Sequence, residues 1–240
     1  MALAGPGVSG VFLDVPSRRR PSLIWATPLL LLLCLLGFGW LLYIGFAEHG
    51  QFLAQWGTLP EALLAPRESW LQGLLDGHLF TLFSALFIHA DWLHLGGNLV
   101  FLLIFGLASE RAIGASRFLL LFLLCGALAN LVAAVSLDET PDRVIIGSSG
   151  AVSAVIGSYL ALFPRARLAL VLPLGLYLEF VRIPASLLIG IWALLQLAFT
   201  YVGPTFGAVA WWAHVSGFLF GILFALLIKP GIRRRLRRAG

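Results

Sequence analysis

From Leu23 to Phe46 the chain runs for 24 residues without a single charged side chain. A segment of that length extends about 36 Å as a helix, enough to cross the roughly 30 Å hydrocarbon core of a bilayer. In lipid every backbone N–H and C=O must find a partner within the protein, so such a run reads as a transmembrane helix. Arg18–Arg20 and the small-x-small triplet Gly45-Phe46-Ala47 resemble a cleaved leader, but the apolar stretch exceeds the ~7–15 residues of a leader's core, which favours a retained span. Five further apolar runs follow, at about 93–109, 117–137, 148–163, 184–202 and 208–228. Composition agrees: 60% of residues are hydrophobic and 11% charged, against roughly 45–50% and 25% in a soluble domain. A soluble domain, disorder, a coiled coil and a disulfide scaffold are all excluded. The expected fold class is an all-α polytopic membrane protein with six transmembrane helices.

The stretch 168–180 is the doubtful crossing. It has 13 residues, includes Pro173, and is bracketed by Arg165, Arg167, Glu179 and Arg182, so it reads as an interfacial loop. With six spans and both ends cytoplasmic, the inner segments hold fourteen of the sixteen Lys and Arg residues, leaving only Arg67 and Arg143 outside. Eight of the eleven acids fall outside. That is the positive-inside asymmetry. The expected organisation is a basic cytoplasmic segment at 1–22, a six-helix domain at 23–228 with a long outer loop at about 47–92, and a basic cytoplasmic tail at 229–240. The outer loop reads as short amphipathic pieces in the interface. The net charge of +5 gathers at the two ends of the apolar domain, which argues for membrane orientation rather than nucleic-acid binding. Cys34 and Cys125 lie inside apolar runs and read as small hydrophobes.

Polar groups are costly inside a bilayer, so those within spans are candidates for function. The second span opens with His94-Leu-Gly-Gly-Asn98, preceded by His89; the fourth opens with Gly147-Ser148-Ser149-Gly150; the sixth carries Ala213-His214-Val-Ser-Gly217 and continues to Gly221. All three spans start on the outer face, which puts His94, Ser149 and His214 at a similar depth. His214 lies about six residues, or roughly 9 Å, into its span. Ser149 with His214 is the pair that can do chemistry, because a serine hydroxyl becomes a nucleophile when a neutral imidazole takes its proton. Ser149, Ser153 and Gly157 on one helix, and Gly217 and Gly221 on the other, form small-residue faces that permit close approach. His94 and Asn98 share one helix face and can direct N–H groups at a developing oxyanion, together with the backbone N–H of Ser149.

Each feature has a plainer reading on its own. Gly-Ser-Ser-Gly can be a tight helix start, the glycines after His214 can serve packing, His94 and Asn98 can be interhelical glue, and His89 and Asp91 can be wetted loop residues. Other chemistries lack their residues. The one lysine, Lys229, lies at the cytoplasmic end, HExxH is absent, His89 and His94 make a poor zinc pair, and no carboxylate lies deep in a span. No acid obviously completes a triad, so a Ser-His dyad is expected, with the imidazole oriented by packing.

These residues resemble the rhomboid family of intramembrane serine proteases. The matching features are GxSG at 147–150, HxxxN at 94–98 with His89 five residues earlier, and AHxxGxxxG at 213–221. Gly106-x3-Glu110-Arg111, the run from Phe163 to Arg167, and Pro184, Trp192 and Gln196 are also similar. The resemblance covers about residues 50–228. It implies a six-helix bundle with a water-filled cavity open to the outer face, Ser149 as nucleophile, His214 as base, and His94 and Asn98 supporting the oxyanion. His89, Gly147, Gly150, Gly217 and Gly221 would support or pack the site. No metal or other cofactor is implied. Substrates would be single-span membrane proteins that unwind locally, with a small residue before the cut. The sequence departs from some relatives in two places. Ser153 stands where they carry an aromatic beneath the histidine, and the first outer loop lacks their Trp-Arg pair. The short loops suggest a bacterial inner membrane. Two other readings are a rhomboid-like pseudoprotease that binds client helices without cleavage, and a six-span transporter. Retention of both Ser149 and His214 counts against the first. The lack of inverted-repeat symmetry counts against the second.

Overall fold

A computed structural model describes residues 23–45, 47–65, 76–137, 143–174, 177–202 and 210–238. The segment 1–22, part of the outer loop (66–75), and the first residues assigned to the sixth span (208–209) lie outside the described residues.

Helix α1 (Ala26–Ile44) leads into three short helices of the outer loop, α2 (His49–Trp56), α3 (Pro60–Leu64) and α4 (His78–Phe87). Next come α5 (Trp92–Ile113), α6 (Ala115–Ser136) and α7 (Ser149–Leu162). A hairpin of β1 (Arg167–Leu174) and β2 (Tyr177–Pro184) precedes α8 (Ala185–Val202) and α9 (Trp211–Arg238). Five of these helices are long and apolar enough to cross a membrane: α1, α5, α6, α8 and α9 over Trp211–Gly231. The protein is an integral membrane protein built as a multi-spanning helical bundle.

The hairpin corrects the expected loop at 168–180. Its strands pair antiparallel from Arg167 opposite Pro184 to Leu174 opposite Tyr177. A run too short to cross the membrane still has peptide groups to satisfy near lipid, and pairing two such runs does so.

The shortest apolar core helix is the most enclosed. α7 has 14 residues, about 21 Å, and every residue from Gly150 to Tyr159 is buried. It packs most extensively on α9 and then on α6. Glycines set the α7–α9 approach: a side chain at Gly217 would meet the Gly150 carbonyl, one at Gly221 the Ala154 carbonyl, and one at Gly157 the Phe218 carbonyl. The contact stripe of α7 is therefore Gly150, Ala154 and Gly157, one position round from the expected Ser149/Ser153/Gly157 face.

The outer loop is tied down rather than merely resting on the interface. Thr58 and Ile145 form a backbone bridge, Thr58 Oγ1 donates to the Thr81 carbonyl at 2.9 Å, and Ser84 Oγ donates to the Trp56 carbonyl at 2.6 Å. At the opposite end, the buried Glu110 carboxylate accepts backbone N–H groups from Trp25, Ala26 and Thr27 at 2.7–2.9 Å. Those donors open α1 and have no intrahelical partner, so one carboxylate anchors α1 to the C-terminal part of α5.

Candidate active site

Three helix starts meet at one level. His94 is the third residue of α5, Ser149 the first of α7 and His214 the fourth of α9. His214 is thus nearer its helix start than the sequence suggested, and all three residues lie in a first turn. The start of α5 is fixed by Asp91, whose Oδ1 accepts the His94 backbone N–H at 2.8 Å, the usual role of an aspartate N-cap.

Helices α7 and α9 run parallel, and their glycine contact brings Ser149 Oγ to 2.8 Å from His214 Nε2. Both residues are half-buried. The other ring nitrogen, Nδ1, is 2.7 Å from Gln196 Oε1 on α8. An amide oxygen can only accept, so this contact places the ring hydrogen on Nδ1 and leaves the Nε2 lone pair for the Ser149 hydroxyl. Trp211 meets the imidazole edge-on at 5.6 Å between centroids. The expectation was orientation by packing rather than by a carboxylate; to the packing of Trp211 the structure adds a neutral side-chain acceptor that fixes the ring. In the sequence Gln196 stands among the residues that carry the resemblance, outside the candidate groups of spans two, four and six. Its signal was a neutral amide inside an 18-residue apolar helix.

The residue before the nucleophile is equally constrained. Ser148 occupies the N-cap of α7, yet its hydroxyl makes no capping bond. It sits instead 3.1 Å from His89 Nε2. The first N–H groups of α7, including that of Ser149, are left without a side-chain cap, where the helix dipole favours negative charge. His89 is fully buried, not wetted. Burial, and then the neighbouring His94 imidazole, push it down to about 4, so it is neutral at pH 7. The two rings lie edge to face at 5.2 Å.

His94 packs directly over Gly147. That glycine has φ +109°, and a Cβ there would overlap His94 Nε2. The Ala90 N–H points at His94 Nδ1 from 3.5 Å, a long contact that favours the hydrogen on Nε2, facing the chain just before Ser149. One turn deeper, buried Asn98 donates through Nδ2 to the His94 carbonyl at 3.0 Å and retains a second amide hydrogen. Ser153 does not replace the missing aromatic: it is buried, and its Oγ donates to the Ser149 carbonyl at 2.7 Å. The C-terminal end of α7 is closed differently. Lys229 Nζ donates to the Ala161 carbonyl at 2.8 Å, a cation at a helix C-terminus. Among the described residues, no three His, Cys, Asp or Glu side chains converge as a metal site would require.

Residues 76–231, well over half of the chain, match the rhomboid domain family. Rhomboid protein 1, mitochondrial, of Saccharomyces cerevisiae is 27% identical over 171 residues, covering 67% of this chain and 46% of the yeast protein. YdcA of Bacillus subtilis, by name a candidate rhomboid protease, is 34% identical over 88 residues, covering 37% of this chain and 43% of its own. Inactive rhomboid protein 1 of Drosophila melanogaster is 33% identical over 84 residues, which cover 35% of this chain and 6% of the fly protein. The chain spans about half or less of the length of these relatives. The family match takes in every residue that meets at the three helix starts, from His89 through Ser149 to His214, and on this ground the chain belongs to the rhomboid family.

Proposed function

We propose that the protein is an intramembrane serine endopeptidase in which Ser149 is the nucleophile and His214 the general base. The observation that carries this reading is the 2.8 Å contact between Ser149 Oγ and His214 Nε2 across two tightly packed helices. As Oγ bonds to the scissile carbonyl carbon, its proton passes to Nε2 and the carbonyl oxygen takes the negative charge. The Ser149 backbone N–H, the free amide hydrogen of Asn98 and His94 Nε2–H receive that charge. The C–N bond then breaks, the leaving amine takes the proton from His214, and the acyl group remains on Ser149. A water deprotonated by His214 hydrolyses the ester and restores the serine.

We assign six crossings: the five long helices and α7, which needs less than a full bilayer width because protein surrounds it. Its short length recesses Ser149 below the outer surface, where water reaches it from that side. A substrate peptide must be unwound at the cut, because a carbonyl within a helix is already bonded to its own backbone. Single-span helices with a small residue before the scissile bond fit this site. The assigned location is a bacterial inner membrane, with residues 1–22 and 229–240 as cytoplasmic flanks of the 23–228 domain. Binding client helices without cutting would give the Ser149–His214 contact no purpose.

The test uses purified wild-type and Ser149→Ala protein in proteoliposomes, with a transmembrane substrate and a fluorophosphonate probe. Wild type should cleave the substrate and take up the probe, and the variant should do neither. Cleavage by Ser149→Ala would overturn the assignment.

A further inference from the structure

α8 is the most loosely enclosed of the long helices. Only Ala185 and Ile189, in its first turns, are buried, while Leu187, Ile191, Leu194 and Leu195 are exposed. Its remaining length meets α9 along one seam of three pairs. Trp192 faces Phe218 with ring centroids 5.8 Å apart, Gln196 faces His214 at 2.7 Å, and Phe199 stacks on Trp211 at 4.8 Å. On α8 the positions are i, i+4 and i+7, which share a face; on α9 they descend by the same steps, as an antiparallel pair requires. The central pair is polar and is flanked on both sides by aromatic pairs. Trp211 also touches His214 edge-on, so the outer aromatic pair and the imidazole form one packed unit.

We propose that Gln196 is a positioning residue that makes the competence of His214 depend on the seating of α8 against α9. This rests on the reading of Ser149 and His214 as the catalytic pair. A neutral imidazole carries one N–H and one lone pair, and taking the Ser149 proton at Nε2 requires the hydrogen on Nδ1. Gln196 Oε1 holds that tautomer and strengthens its bond when the ring becomes an imidazolium. An amide does so without the cost of placing a carboxylate in a span. When α8 moves outward, the aromatic pairs part, Oε1 is withdrawn and the ring turns freely, so Ser149 loses its base. The titratable group beside His214 is His94 on α5, and the uncharged Ser149 hydroxyl on α7 is a further polar neighbour.

The experiment compares full-length wild type, Gln196→Leu, Gln196→Glu, Phe199→Ala and the Phe199→Ala/Gln196→Leu double variant in proteoliposomes, with Ser149→Ala as the inactive control. Gln196→Leu should lower kcat about tenfold or more with KM within about twofold. Gln196→Glu should retain activity and move the acid limb of kcat/KM to higher pH, because a carboxylate favours the charged imidazole. Phe199→Ala should lower kcat in the wild-type background and add little to Gln196→Leu. The idea is overturned if Gln196→Leu keeps kcat within about twofold of wild type, if the acid limb of Gln196→Glu stays in place, or if the two losses simply multiply. A wild-type protein that neither cleaves nor labels would instead refute the catalytic reading itself, so the two failures are distinguishable.

Discussion

Ser148 and Ser149 carry the same hydroxyl one residue apart, and their neighbours give them opposite roles. Ser148 faces His89 and leaves the start of α7 uncapped; Ser149 faces His214. His89 therefore acts at a distance from the reacting atoms, and its burial has a measurable consequence. Its folded-state pKa of about 4 lies below the ~6.5 of an unfolded chain. Between those values the unfolded chain binds a proton that the folded chain refuses, so stability is lost as pH falls through that window. His89→Gln should flatten this part of a plot of melting temperature against pH in detergent; an unchanged slope would assign the sensitivity to other groups. The serine and the histidines were legible in the sequence because hydroxyl and imidazole groups stand out in apolar runs. Gln196 was legible only through the resemblance, because, unlike Asn98, it has no histidine one turn away on its own helix, and its value depends on a partner on another helix. The capping role of Glu110 was equally invisible, since its three donors lie more than eighty residues away in sequence. Glu110→Gln would put amide hydrogens against one of those N–H groups. It should lower stability by about 1–3 kcal/mol, read as an earlier thermal transition.

Among the elements, the α7–α9 pair decides whether the site exists. Small-xxx-small spacing announced a close approach from sequence alone, and Gly217 and Gly221 make it. The partner stripe on α7 was misplaced by one position because Ser149 and Ser153 are small too, and spacing does not separate residues that pack on α9 from residues that make polar contacts. Gly221→Ala places a methyl group against the Ala154 carbonyl, which helix backbones can relieve only by moving apart. The expected cost is about 1–3 kcal/mol in stability, together with loss of probe labelling at Ser149, since the 2.8 Å contact cannot survive the separation. Gly39→Ala on α1 is the matched control: nothing lies within 4 Å of the new methyl, and the higher helix propensity of alanine adds up to about 1 kcal/mol. A labelling loss in both variants would show that the effect is not specific to the α7–α9 contact. The hairpin at 167–184 was hidden for a different reason. Periodicity does not distinguish a paired strand from an interfacial coil in a short apolar run.

For the whole molecule, the crossing number turns on α7. Charge asymmetry in the sequence requires an even count if both ends are cytoplasmic, while length alone admits five helices. A 14-residue helix exposed to lipid would be short of the membrane by roughly 9 Å. α7 is not so exposed: α6 and α9 pack against it, and its central ten residues are buried. The mismatch therefore falls on protein rather than lipid. Its C-terminal end is closed by Lys229 and its N-terminal end is left without a side-chain cap beside Ser149, the asymmetry expected of a helix recessed at one end only. Arg165 and Arg167 follow its C-terminal end and Arg143 alone precedes its N-terminal end, the sense expected of a crossing whose C-terminal end is cytoplasmic. Reporter fusions at residues 1 and 240, each active on one side of the membrane only, should then report the same side for both termini. A single cysteine at Asp76, in an otherwise cysteine-free chain, should react with a membrane-impermeant thiol reagent added from the other side. Termini found on opposite sides would make α7 a re-entrant segment and the crossing number odd. The shared level of His94, Ser149 and His214 would then need an origin other than three helices entering from one face.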